Sequence, residues 1–213
     1  MVMKFVRPLA ALSLCLLLSA GMASAAAETY KIDPAHSSVG FSIRHFFSKV
    51  PGHFKAFEGT ITLDPKDLSN ASVSVTIDAA SIDTAVADRD KHLSGPDFFD
   101  VAKFPKMTFV STEVTSRGPN KATVKGNLSI KGVTRPVVLE AEVLGFSPDP
   151  WGGYRGGFEA KTTIIRKDFG ISWNKTLDGG GLLLGDDVEI LLNIEGVREA
   201  PKAVAPEAAP KKN

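Results

Sequence analysis

Between Glu28 and Arg198 apolar and polar residues alternate almost one for one, and this beat restricts the chain to β-strands that bury a single face. Val39, Phe41, Ile43 and His45 alternate with Gly40, Ser42, Arg44 and Phe46. The beat returns at Gly59, Ile61 and Leu63, at Val73, Val75 and Ile77, and at Val124, Leu128 and Ile130. Val137, Leu139, Ala141 and Val143 carry it on, followed by Phe158, Ala160, Thr162 and Ile164, and last by Val188, Ile190, Leu192 and Ile194. Turn-forming residues punctuate the runs at Pro51-Gly52, Asp64-Pro65-Lys66-Asp67, Gly118-Pro119-Asn120, Lys131-Gly132 and Asp178-Gly179-Gly180-Gly181. With the short Tyr30–Asp33 and Thr108–Val114 runs, the pattern predicts an all-β fold of about eight strands.

One stretch interrupts the alternation. Thr84 has the chemistry of an N-cap, Ala85–Ser94 can form a short helix, Gly95 suits a left-handed residue after it, and Pro96 stops it. Asp97-Phe98-Phe99-Asp100 and Phe104-Pro105 follow, too aromatic for an idle loop. The expected architecture is an eight-stranded antiparallel barrel, which leaves no free sheet edge, with one short helix and an aromatic-rich connection across an end.

A barrel of this strand number either packs its interior with side chains or encloses one small ligand. Strand parity places Gly59, Gly126, Ala141, Gly145 and Ala160 inward among Phe41, Phe109, Phe158 and leucines. Small inward residues leave room, although they also suit barrel corners, so both interiors stay open. Phe outnumbers Tyr 13 to 2, and phenylalanine walls a dry space without needing a hydrogen-bond partner. Two inward positions are polar: His45 shares the parity of Phe41 and Ile43, and Arg166 that of Phe158 and Ile164. A buried cation needs a partner. For Arg166 that is an anionic head group at a barrel mouth, a carboxylate such as Asp168 or Asp187, or water if the strand bulges.

The termini read differently. Lys4 and Arg7 precede the apolar run Leu9–Leu18, and Ala23-Ser24-Ala25 supplies an A-x-A cleavage signature, so residues 1–25 are expected to be a secretory signal peptide. Residues 26–198 then form one domain, and 199–213, rich in Ala, Pro and Lys, a flexible tail. The net charge of +1 gives no footprint for nucleic acid. The lone Cys15 excludes a disulfide framework and, lying in the leader, would be lost with it. His36, His45, His53 and His92 lack the close spacing that sets two imidazoles on one face, so no metal site is expected. Gly179-Gly180-Gly181 follows no strand-to-helix pattern and reads as a turn, and no G-x-S-x-G elbow is present. Asp88, Asp90 and His92 fit a solvated helix face better than an acid–base site.

Several motifs, in order, resemble the YceI-like family. They begin with Tyr30-Lys-Ile-Asp33-Pro-Ala-His36-Ser37-Ser-Val-Gly-Phe41-Ser-Ile-Arg-His45 and Gly52-His-Phe54-Lys-Ala-Phe57-Glu-Gly59. The middle carries Ser81-Ile82-Asp83-Thr84, Arg89-Asp90-Lys-His92-Leu93, Asp97-Phe98-Phe99-Asp100 and Phe104-Pro105-Lys-Met107-Thr-Phe109. Gly126-Asn-Leu-Ser-Ile-Lys-Gly132-Val-Thr134-Arg-Pro136-Val and Arg166-Lys-Asp168-Phe169-Gly170-Ile complete the series, which spans about Glu28 to Arg198. The basic, Pro-rich tail after Glu199 is not part of the family pattern.

The resemblance implies a lipocalin-like barrel whose apolar tunnel holds a polyisoprenoid or similar amphiphilic lipid, of the isoprenoid quinone or prenyl phosphate class. On that reading the tunnel wall is Phe41, Ile43, Val75, Ile77, Phe98, Phe99, Phe109, Val124, Leu128, Leu139, Val143, Phe158, Ile164 and Leu192, with His45 and Arg166 meeting the head group. Family members are periplasmic or secreted bacterial proteins linked to quinone handling or stress tolerance. The implied protein is a carrier without catalytic residues or cofactor, and transient membrane contact and a homodimer are compatible with it; the aromatic, non-strand character of Ala85–Phe104 adds the expectation that this segment moves when lipid loads. Two rivals remain: an enzyme acting on a prenyl substrate, and a ligand-free structural barrel used in stress protection.

Overall fold

A computed structural model describes residues 27–200. The expected leader and Cys15 lie outside the described residues, as does the tail from 201 onward. Eleven strands join in one antiparallel sheet: β1 (Glu28–Ile32), β2 (Ser38–His45), β3 (Ser48–Phe54), β4 (Phe57–Asp64), β5 (Asp67–Asp78), β6 (Ile82–Asp83), β7 (Lys106–Ser116), β8 (Lys121–Ile130), β9 (Val133–Pro148), β10 (Tyr154–Ile165) and β11 (Leu184–Arg198). β1 and β2 both pair with β11, while β3 pairs with β2 and β4 with β1. β6 likewise pairs with β3 where β5 pairs with β4. Each of β1/β2, β3/β4 and β5/β6 is therefore one stave with a kink. Eight staves result, each paired with the next in sequence, and Tyr30↔Arg198 closes the ring. The expected eight-stranded barrel is what forms.

The kinks have local causes. After β1 a 3-10 turn at Pro34–His36 inserts three residues, with Asp33 Oδ1 accepting from the Ala35 N–H at 3.0 Å. After β5 the turn Ala79–Ser81 is capped in the same way by Asp78. An odd insertion reverses strand parity, so Tyr30 and Ile32 are buried before the first kink and Val39 after it. The sequence pattern misses β3, because Pro51-Gly52 reads as a turn but lies inside the strand. Proline is tolerated there because β3 has a second neighbour only at His53 and Phe54. Lys131-Gly132, in contrast, is a two-residue hairpin turn with φ of +49° and +75°, the type I′ geometry that favours glycine.

The one α-helix among the described residues, α1 (Ala87–Ser94), starts later than the sequence suggests. Val86 occupies its N-cap without a side-chain bond, and Gly95 is extended rather than left-handed. Ala85 takes the left-handed conformation instead, at φ +61°, with Asp83 Oδ1 accepting from its N–H at 2.8 Å. Thr84 is no N-cap. Its hydroxyl donates to Asp90 Oδ1 at 2.5 Å and its N–H to the same oxygen at 2.9 Å.

The pairing sets β6, α1, the Asp97–Phe104 connection and the β10–β11 connection at one end of the barrel. At this end Phe99 packs edge-on to Phe54, with ring centroids 5.7 Å apart, and Phe98 lies 5.4 Å from Trp173. The opposite end is stopped by Tyr30, Phe146 and Phe158, whose centroids lie 5.3 to 5.9 Å apart. Tyr30 is wholly buried, and burial, reinforced by its bond to Glu28, raises its phenol above the ordinary range.

Outside that closed end, Arg155 joins the chain's first kink to β11. Its Nη1 donates to Asp33 Oδ2 at 2.8 Å and Glu195 Oε1 at 2.5 Å, and its Nε to Asp149 at 3.0 Å. His36 Nδ1 also bonds Asp33, at 2.8 Å. The Arg155 bond, then that of His36, holds the Asp33 carboxyl at about 2, against an ordinary 3.8. A depressed carboxylate stabilises the fold above its ordinary value and ceases to do so as pH falls through its folded value. Acidification from about pH 4 to 2 is therefore expected to remove roughly 1–2 kcal/mol through Asp33. In urea titrations across that window, Asp33→Asn should lose less stability than the wild type; equal losses would contradict this assignment.

Candidate functional site

The barrel is hollow. A cavity of about 420 Å³ runs through its interior, and all fourteen side chains assigned to the wall from the sequence line it. At one level of the barrel the wall is built of small side chains: Ala122, Ala141 and Ala160 are lateral neighbours on β8, β9 and β10, and Ala160 pairs with Leu192 on β11. All four line the cavity. The inward glycines contribute otherwise than expected. A Cβ on Gly126 would fall 2.4 Å from the Phe109 ring, so that ring fills the space the glycine leaves. Gly59 abuts the β5 backbone, where a Cβ would fall 2.4 Å from the Ser74 carbonyl oxygen, and Gly145 is exposed. Alanines line the hollow, whereas Gly126 seats an aromatic ring and Gly59 a neighbouring backbone.

Most of the wall is aliphatic or aromatic, and its basic side chains gather at the α1 end: His45, Arg89, His92 and Arg166. His45 lies at the last position of β2, half-buried, opposite Leu184. Its ring reaches the cavity, as its parity suggests.

Arg166 does not have the freedom that a head-group role requires. It is 3% exposed, and its Nε donates to the Gly185 carbonyl at 2.9 Å. Nη1 donates to the carbonyls of Ile171 and Trp173 at 2.9 and 2.8 Å, and Nη2 to Asp186 Oδ1 at 3.2 Å. Four of the five guanidinium N–H groups are thus engaged within the protein. Burial lowers the guanidinium's proton affinity and Asp186 opposes this. Asp186 is itself held below the carboxylate range, first by Lys167. The carboxylate partner is Asp186, not Asp168 or Asp187, because Arg166 has left the strand for a 3-10 turn at Arg166–Phe169. It pins the β10–β11 connection, including Trp173, against the barrel.

Four residues of this end escaped the sequence reading. Trp173 lines the cavity, and the His92 ring stands edge-on to both Phe98 and Trp173, at 5.1 and 5.0 Å. Thr84, 7% exposed, and Arg89 also line it, and Arg89 donates from Nε to Thr84 Oγ1 at 2.7 Å and from Nη2 to the Thr84 carbonyl at 2.6 Å. The available signal was the spacing of Thr84, Arg89 and Asp90, which lets a helix reach back to the residue before it. Read as a cap and a solvated face, it stayed hidden.

The histidine spacing missed a different cluster. Asp33, His36 and Glu195 bring ligand atoms within 4.8 Å of one another. Arg155 bonds both carboxylates there, so the acidic charge is already matched by a guanidinium.

Comparison with known proteins agrees with the barrel geometry. The YceI-like domain profile matches residues 30–196. A UPF0312 protein of Serratia proteamaculans is 48% identical over 186 residues, covering 86% of this chain and 92% of its own. The crystal structure of Burkholderia cenocepacia BcnA superposes with a TM-score of 0.69 at 27% identity, covering 77% of this chain and 98% of its own. A polyisoprenoid binding domain from Saccharophagus degradans, implicated in plant cell wall breakdown, shares the fold at a TM-score of 0.59 and 15% identity, covering 81% of this chain and 98% of its own.

Proposed function

The chain belongs to the YceI-like family, and from that membership and its hollow interior we propose that it is a non-catalytic lipid-binding protein, which holds the tail of a polyisoprenoid or similar amphiphile. The observation that carries this reading is the continuous apolar wall around a cavity of about 420 Å³. The polyisoprenoid binding domain of the same fold from Saccharophagus degradans lends support to the ligand class. The leader signature at 1–25 supports a periplasmic location. Quinone handling and stress tolerance are the physiological settings in which such a carrier would act.

A carrier must also meet the membrane that supplies its lipid. The β2–β3 hairpin tip suits that contact: Phe46 and Phe47 are 40% and 98% exposed, between Arg44 and Lys49. Aromatic side chains favour the lipid interface and flanking cations favour anionic head groups. Phe46 reaches back toward His45, their rings 6.3 Å apart, so the tip is continuous with the cavity wall.

Burying each CH₂-sized group of a tail is worth about 0.8 kcal/mol, offset in part by ordering the chain. Affinity should rise by about tenfold or more per added prenyl unit until the cavity is full, and then level off. Trp173 reports this directly, because Trp151, the other of the two tryptophans, is 80% exposed and can be replaced by Phe. In Trp151→Phe protein, titration with a series from geraniol to long polyprenols should blue-shift Trp173 emission with length-dependent affinity. The reading fails if no member of the series alters the emission or if affinity ignores length.

A further inference from the structure

Resting on the lipid-binding reading, we propose that Arg89 is the head-group residue of the cavity and that it selects lipids with an anionic, two-oxygen head over neutral ones. Two arginines line the cavity. Arg166 is tied to three carbonyls and Asp186. Arg89 is half-buried, yet among the described residues it has no carboxylate within ion-pair distance, and its Nη1 has no hydrogen-bond partner. The adjacent acid on α1, Asp90, accepts both the N–H and the hydroxyl of Thr84.

That arrangement orients the guanidinium. The Thr84 hydroxyl donates to Asp90 and so presents its lone pair to Arg89 Nε, while the Thr84 carbonyl takes Nη2. Thr84 is buried and sits between β6 and α1, so Arg89 is held by the wall itself. Nη1 and the second hydrogen of Nη2 form an unused donor edge, and such a fork matches two oxygens of a phosphate or carboxylate. The nearest carboxylate reaches Arg89 only through the Thr84 hydroxyl, and a cation beside an apolar hollow with no direct ion pair favours a ligand that supplies one. A quinone or alcohol brings none. Prenyl phosphates and fatty carboxylates share the required chemistry.

Matched pairs test this: farnesyl phosphate against farnesol, and palmitate against hexadecanol, each titrated into the whole protein by Trp173 emission or calorimetry. A charge-assisted bond should favour the anionic member by about 10- to 100-fold. Arg89→Met should bring that ratio close to one, with the loss of affinity falling on the anionic member of each pair. Preference in one pair only identifies the source as phosphate or carboxylate and supports the proposal. Equal affinities within both pairs overturn it and leave the lipid reading standing, whereas failure of all four ligands overturns both. If Arg89→Met binds nothing, Arg89→Lys decides. It keeps the charge without the fork, so a ratio reduced but above one supports the assignment, and an unchanged ratio overturns it.

Discussion

Arg166→Met is expected to lower the unfolding free energy by about 3–5 kcal/mol, the usual cost of deleting one partner from a buried ionic network. For a chain of this length that corresponds to a fall in Tm of roughly 6–20 °C, a large share of a typical stability. The cost arises mainly on the acceptor side. The carbonyls of Gly185, Ile171 and Trp173 lose their donors in a place where water does not replace them easily. Asp186 keeps Lys167 at 2.8 Å and suffers less. Arg166→Lys should fall between, since an ammonium lacks the planar fork that reaches three carbonyls at once. Chemical denaturation measures the effect. A variant as stable as the wild type that nevertheless loses an anionic lipid would return Arg166 to the head-group role read from the sequence.

Ala141→Trp is expected to weaken binding of long prenyl lipids by about 100- to 1,000-fold, by excluding several CH₂-sized groups at about 0.8 kcal/mol each. The position lies at the level where Ala122, Ala141 and Ala160 open the barrel. Stability separates a hollow from a packed interior. In a solid core the added ring would cost about 1–3 kcal/mol through overpacking. In a cavity it gains contacts, and Tm should hold or rise. Ala141→Leu should give a smaller loss of affinity on the same grounds. A strongly destabilised Ala141→Trp variant would mean that the space is not there.

The barrel was legible because alternation is a local, repeated signal that closure merely satisfies. Twelve of the fourteen wall residues lie on strands, where parity fixes the face a residue occupies, and Phe98 and Phe99 come from the aromatic connection. The kinks were not legible in the same way. Parity reverses between Ile32 and Val39, and the three-residue turn that does this looks like any short loop. β3 was lost because Pro51 signals a turn unless one knows that its strand lacks a second neighbour there. The polar end was the hardest part. Which of Arg89 and Arg166 is engaged within the protein depends on carbonyls of Ile171, Trp173 and Gly185, and no residue type reveals where a backbone oxygen will point. Thr84 had the chemistry of a cap and serves instead as the seat for a guanidinium. Hydroxyls suit both tasks, and only tertiary placement separates them.

Native mass spectrometry of the protein purified from its own host, followed by solvent extraction, tests the central claim most directly. An apolar-tailed lipid should leave with the wild type and be absent from Ala141→Trp. Wild-type protein that emerges empty, and that also takes up no added prenyl lipid, would contradict the account.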